Sequence, residues 1–224
     1  MKNDKKQNIL MLLINLFILA STLFFVVRGV LKGAGEGQVG EIMYGWGYLK
    51  AFTNLSNILA AVASAVVLFY NIRGLKQNGG ELPRGAVALQ YAASAAVGLT
   101  FVVVVFFLGP MFEQMGKGYF TMFKQEMFFF HFFNPVLCGI ELVLLERSYI
   151  LGWKENLIAM LPMAAYSVVY TVCVLTGTWS DFYNFTLGDL KLTAPAIGIV
   201  YAIAFLIAYM QRRLHNARVK RAPR

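Results

Sequence analysis

The chain has 224 residues, 58% of them hydrophobic and only 14% charged, and its mean hydropathy is +0.61. That is more apolar surface than a soluble domain of this size can hide, which excludes a water-soluble enzyme and predicts an all-α, polytopic membrane protein. The formal net charge of +9 raises nucleic acid as a partner, a reading that the distribution of the charge answers below. Cys138 and Cys173 both lie in apolar runs and read as small buried residues, not as a disulfide framework or a zinc site.

Lys2, Lys5 and Lys6 precede an apolar run that predicts a first transmembrane helix over about 9–28. A signal peptide is the rival, but the run outlasts a typical h-region and no small-x-small cleavage site follows it. A glycine-rich connection over 29–47 ends in Tyr44, Trp46 and Tyr48, aromatics favoured at a membrane interface. Helix two is expected over 48–70. A polar turn with Arg73, Lys76 and Pro83 leads to helix three over 86–108, whose Ala, Ser and Gly permit close helix approach. Gly109-Pro110 stops it, and 111–126 reads as an interfacial connection. Helix four is expected over 127–145, helix five over 157–176 and helix six, opened by Pro195, over 195–211. A basic tail, 212–224, follows, with His215 read as solvated. Each span has about the 20 residues that a hydrocarbon core of roughly 30 Å requires.

Six helices place both termini on one side. On that side fall Lys2, Lys5, Lys6, Arg73, Lys76, Arg84, Arg147, Lys154 and the six basic residues of the tail. The other side holds only Arg28, Lys32, Lys50, Lys117, Lys124 and Lys191. The positive-inside rule then predicts cytoplasmic termini in a cell membrane, with the tail attracted to anionic lipid and no nucleic-acid partner.

Two polar features interrupt the spans. Phe52-Thr53-Asn54-Leu55-Ser56-Asn57 opens helix two, and His131 sits in the run Phe128-Phe129-Phe130-His131-Phe132-Phe133-Asn134-Pro135 of helix four. Intramembrane polar groups are costly and usually face the protein interior, so they mark candidate sites. Thr53 lies roughly five residues, and His131 about four, inside the outer boundary, several ångströms deep at 1.5 Å per residue. Thr53, Ser56, Asn57 and Ala60 share a face, with Asn54 about 100° round. On helix four, His131, Asn134, Cys138 and Glu141 form a second stripe. Pro135 cannot donate to the carbonyl of His131, so a kink is expected there.

A threonine hydroxyl next to a neutral imidazole points to nucleophilic hydrolysis, with His131 as the base. Asn54, Asn57 or Asn134 are candidate oxyanion donors, and Lys50 is placed to attract a substrate carboxylate. The group that orients His131 is open: Glu126, Asp181 and Asp189 lie on the outer side, while Glu141 is about 15 Å deeper. Plainer readings stand beside these. Threonine and serine often bond the carbonyl four residues back, asparagine pairs serve as interhelical glue, and a buried Glu141 can be neutral or hydrogen-bonded. A metal is not expected, because the two histidines are predicted on opposite sides. No organic cofactor is implied.

The six-helix order, the Phe52–Asn57 block and His131 with Pro135 and Glu141 resemble the family of the androgen-induced membrane protein and the androgen-dependent tissue-factor-pathway-inhibitor-regulating protein, and in particular its bacterial relatives. The resemblance implies an integral-membrane threonine hydrolase of fatty acid esters of hydroxy fatty acids or related lipid esters, with the nucleophile at Thr53 and the essential histidine at His131. It also implies a bacterial plasma membrane and a substrate that enters from the bilayer. The alternative is a transporter or lipid-binding protein in which Glu141 couples to protons.

Overall fold

The computed structural model describes residues 5–32, 43–76, 81–183 and 190–221. Among these residues the fold is all-helical, and six helices are long and apolar enough to cross a membrane. They are α1 (Lys5–Leu31), α2 (Phe52–Lys76), α3 (Arg84–Gln114), α4 (Glu126–Leu145), α5 (Trp153–Leu175) and α6 (Leu190–Arg221). Two short 3₁₀ turns, Gly45–Lys50 and Tyr119–Phe123, lead toward α2 and α4.

Local chemistry sets the helix ends. Glu155 accepts from the Gly152 N–H at 2.8 Å, which ties off the first turn of α5. The same carboxylate holds Arg84 at 2.5 Å, so the starts of α3 and α5 are joined. The N–H of Phe52, an orphan donor at the start of α2, finds the hydroxyl of Tyr183 at 2.9 Å.

Three turns within the helices are π-helical: Val104–Leu108, Phe129–Phe133 and Glu141–Leu145. Two precede a proline. Pro110 and Pro135 have no N–H to give to the fourth residue back. The ladder shifts by one residue, so that Gly109 donates to the carbonyl of Val104 and Asn134 to that of Phe129. The expected kink at Pro135 thus takes the form of a widened turn. The third π turn has no proline beside it and closes with the N–H of Glu146 on the carbonyl of Glu141, at 2.9 Å.

Packing centres on α3, which touches α2, α4, α5 and α6. Its Ala86, Ala92, Ala93, Ser94, Ala95 and Ala96 are all buried, the small-residue surface by which membrane helices approach closely when no hydrophobic effect drives them together. Large apolar side chains such as Phe24, Phe69, Phe106 and Leu161 remain more than half exposed, as expected for groups that face lipid chains.

The C-terminal end corrects the sequence reading. Helix α6 continues to Arg221, and His215 is wholly buried, not solvated. Its Nδ1 lies 2.7 Å from the carbonyl of Leu142 and its Nε2 2.8 Å from that of Tyr149. Arg212 stacks on Trp153, 3.7 Å from the ring centroid. Ala208, Arg212, His215 and Val219 are buried at helical spacing. Their side chains carry a packing stripe through what composition alone marks as a charged tail.

Candidate active site

His131 belongs to the first π turn of α4 and is 3% exposed. Its Nδ1 lies 2.6 Å from the carbonyl oxygen of Met122. A carbonyl only accepts, so Nδ1 carries the proton, and in the neutral ring the lone pair belongs to Nε2. Among the described residues Nε2 makes no hydrogen bond. The orienting group that the sequence left open is therefore a backbone carbonyl, and neither Glu126 nor Asp181 fills that role; the third candidate, Asp189, lies outside the described residues.

Met122 is held by the Tyr119–Phe123 turn, where it packs with Val104 and Phe112. The hydroxyl of Tyr119 donates to the carbonyl of Val105 at 3.0 Å, and the Tyr119 ring lies over Gly109, where a Cβ would come within 2.5 Å of it. Positive φ angles flank the turn, 80° at Gly118 and 52° at Gln125. Gln125 is the only non-glycine among the described residues with positive φ, a strained position directly before α4.

Thr53 stands in the first turn of α2 and is partly buried. Its carbonyl accepts from Ser56 Oγ at 3.0 Å and from Asn57 Nδ2 at 2.8 Å, while its hydroxyl makes no hydrogen bond among the described residues. The same Asn57 nitrogen donates to the carbonyl of Phe130 at 3.2 Å. One amide group therefore bridges the backbone at Thr53 to the residue before His131, which puts the two turns side by side at one level. No hydrogen bond joins Thr53 to His131 directly.

The asparagines divide in their availability. Asn134 donates to Asn57 Oδ1 at 2.9 Å and to Thr22 Oγ1 at 3.2 Å, and accepts from Ser21 at 3.4 Å. Asn57 and Asn134 thus have all their amide hydrogens committed and bracket α1, α2 and α4 together; neither presents a donor to an oxyanion in this arrangement. Asn54 is turned away from Thr53, donating to the carbonyl of Tyr48 at 2.6 Å, with its Oδ1 buried and unpaired. Tyr48 itself is fully buried, and burial, followed by the charge of Glu126, pushes its hydroxyl well above the usual phenol range.

A feature not legible in the sequence lies beside this turn. A half-open groove of about 270 Å³ runs between α2 and α5, lined by Phe52, Leu55, Ser56, Leu59, Pro162, Ala165, Tyr166, Val169 and Trp179. Phe52 precedes Thr53 in sequence, and Ser56 stands three residues after it. Lys50 stands at the rim with its ammonium 5.9 Å from the Trp179 ring centroid and its carbonyl accepting from Tyr166 at 2.8 Å.

Glu141 is apart from all of this. It opens the other π turn of α4, is 1% exposed, and accepts a hydrogen bond from Asn15 of α1, with Gln90 of α3 alongside. Among the described residues no group of His, Cys, Asp and Glu side chains has the arrangement of a metal site. No family model matches the chain, and neither a curated protein nor a solved structure does.

Proposed function

We propose that the protein is an intramembrane hydrolase of lipid esters, with Thr53 as nucleophile and His131 as base, and that both termini are cytoplasmic in a bacterial plasma membrane. The observation that carries this reading is the hydrogen bond from His131 to the Met122 carbonyl, which leaves Nε2 as the basic nitrogen on the turn next to an unengaged threonine hydroxyl. A second support is the resemblance of the Phe52–Asn57 block and His131 to a family of membrane threonine hydrolases.

Thr53 Oγ attacks the ester carbonyl as Nε2 takes its proton. The tetrahedral intermediate collapses when His131 returns that proton to the leaving alkoxide, and a water repeats the sequence to free the acid. Approach of the acyl carbonyl to Thr53 brings the hydroxyl and the imidazole to hydrogen-bonding distance, a tightening commonly seen only in the substrate complex. The groove between α2 and α5 has the apolar lining an acyl chain needs, and Lys50 at its rim suits a carboxylate at the outer interface. A fatty acid ester of a hydroxy fatty acid combines both features.

The test is activity-based labelling of purified protein with a fluorophosphonate probe. The expected result is labelling of the wild type and none of Thr53→Ala or His131→Ala at equal folded yield. Persistent labelling of Thr53→Ala moves the nucleophile elsewhere, and an unlabelled wild type rejects the hydrolase reading.

A further inference from the structure

Helix α2 begins without a cap of its own. Ala51, extended at φ −78° and ψ 135°, stands at the N-cap, where its carbonyl accepts from the N–H groups of Asn54 and Leu55, each at 3.1 Å. A methyl side chain offers no acceptor, so the residue that ordinarily ties off the first N–H groups of a helix cannot do so here. The acceptor comes from 131 residues further along the chain. The hydroxyl oxygen of Tyr183 takes the N–H of Phe52 at 2.9 Å and adjoins the N–H of Thr53.

Tyr183 is itself held in place. Its backbone N–H donates to the hydroxyl of Tyr170 on α5 at 3.0 Å, and that hydroxyl donates to Asp181 Oδ1 at 2.7 Å. Its ring packs on those of Phe182 and Tyr170, with centroids 4.7 and 5.3 Å away. On the other side of Ala51, the carbonyl of Lys50 accepts from Tyr166 of α5 at 2.8 Å. Two tyrosine hydroxyls therefore grip the backbone before and after Ala51. An uncapped helix end frays, and Thr53 is the second residue of α2. Ser56 and Asn57 hold its carbonyl from the downstream side; the upstream side depends on Tyr183.

We propose that Tyr183 is a positioning residue for the nucleophile: its hydroxyl replaces the missing N-cap of α2 and so fixes the backbone from which Thr53 presents its own hydroxyl. This role rests on the hydrolase reading and brings the segment after α5 into the site. Trp179 of the same segment lines the groove between α2 and α5. One short stretch of chain thus touches the acyl-chain path with one side chain and sets the nucleophile with another.

The experiment is saturation labelling with the fluorophosphonate probe, which separates probe affinity from the rate of covalent reaction. It compares full-chain wild type with Tyr183→Phe, which keeps the ring and loses only the hydroxyl, per mole of folded protein. The limiting labelling rate should fall about tenfold, as for a displaced reacting group, while the half-saturating probe concentration stays within about twofold. A merely structural role lowers folded yield and unfolding temperature but leaves the rate per folded molecule unchanged. Ala51→Ser supplies a local N-cap, and in the Tyr183→Phe background it should restore the rate to within about threefold of wild type. Should Tyr183→Phe not fold, Tyr170→Phe, which releases the Tyr183 N–H, takes its place with the same rescue. A labelled wild type beside an undiminished rate in Tyr183→Phe, or a loss that Ala51→Ser does not recover, overturns the proposal alone. An unlabelled wild type rejects the hydrolase reading and this role with it.

Discussion

Helix α4 contains two π turns with opposite accounts. The turn at Phe129–Phe133 is dictated by Pro135, and the histidine it carries is anchored at Nδ1 on a neighbouring carbonyl. The turn at Glu141–Leu145 has no proline to impose it, and the carboxyl it carries accepts from the Asn15 amide of α1. One turn is explained by a covalent constraint and is locally complete. The other has no such constraint beside it, and its carboxyl is met by a side chain of α1. Widened turns of this kind recur at functional sites because they re-aim a side chain without ending the helix, and α4 carries His131 on one and Glu141 on the other.

The largest expected effect separates the two turns by chemistry. His131→Ala should lower lipid-ester turnover by about 10²–10⁴-fold, whereas Glu141→Gln should change it no more than a few-fold in the same assay. Equal losses would dissolve the distinction.

Pro135→Ala comes next. Restoring the N–H lets the regular ladder re-form to the His131 carbonyl, which rotates the imidazole away from Met122. Turnover should fall by roughly 10–100-fold, the sensitivity expected of a misaligned catalytic group, while the unfolding midpoint stays level or rises as the proline penalty is removed. Unchanged turnover would mean that the π turn does not place the base.

Gly109→Ala acts on the same anchor from the other side. A Cβ there would meet the Tyr119 ring at 2.5 Å, so the turn that carries Met122 must shift. A loss of about 1–3 kcal/mol of stability is expected, measured by thermal unfolding, together with a drop in turnover. By contrast Gly139, between the two π turns, has nothing within 4 Å of a built Cβ. Gly139→Ala should therefore be neutral or stabilising by up to about 1 kcal/mol. A similar gain of about 1 kcal/mol is expected for Gln125→Gly, which relieves the strained φ of 52° before α4.

The six spans could be read from the chain because apolar length is a one-dimensional property, and so could the break at Pro135, because proline acts on a fixed neighbour. The partners were not legible. Met122 orients His131 through a backbone oxygen, which leaves no trace in side-chain identity. His215 looked solvated because the groups that bury it, at Leu142 and Tyr149, lie far away in the chain. Its spacing from Ala208, Arg212 and Val219 was the available signal, masked by the surrounding charge. Asn57 and Asn134 were recognisable as polar, but only the arrangement of three helices shows that their hydrogens are already spent on one another and on Phe130, Thr53 and Thr22. The groove beside Thr53 depends on the relative placement of α2 and α5 and has no sequence pattern of its own.

The burial of His215 has a mechanical consequence. With 32 residues, α6 is about 48 Å long, against a hydrocarbon core of roughly 30 Å. His215 bolts its basic end to the last turn of α4. The two helices share one vertical coordinate, so a thicker or thinner bilayer that draws the basic end up or down carries His131 with it. Membrane thickness is thus expected to set the depth of the buried imidazole.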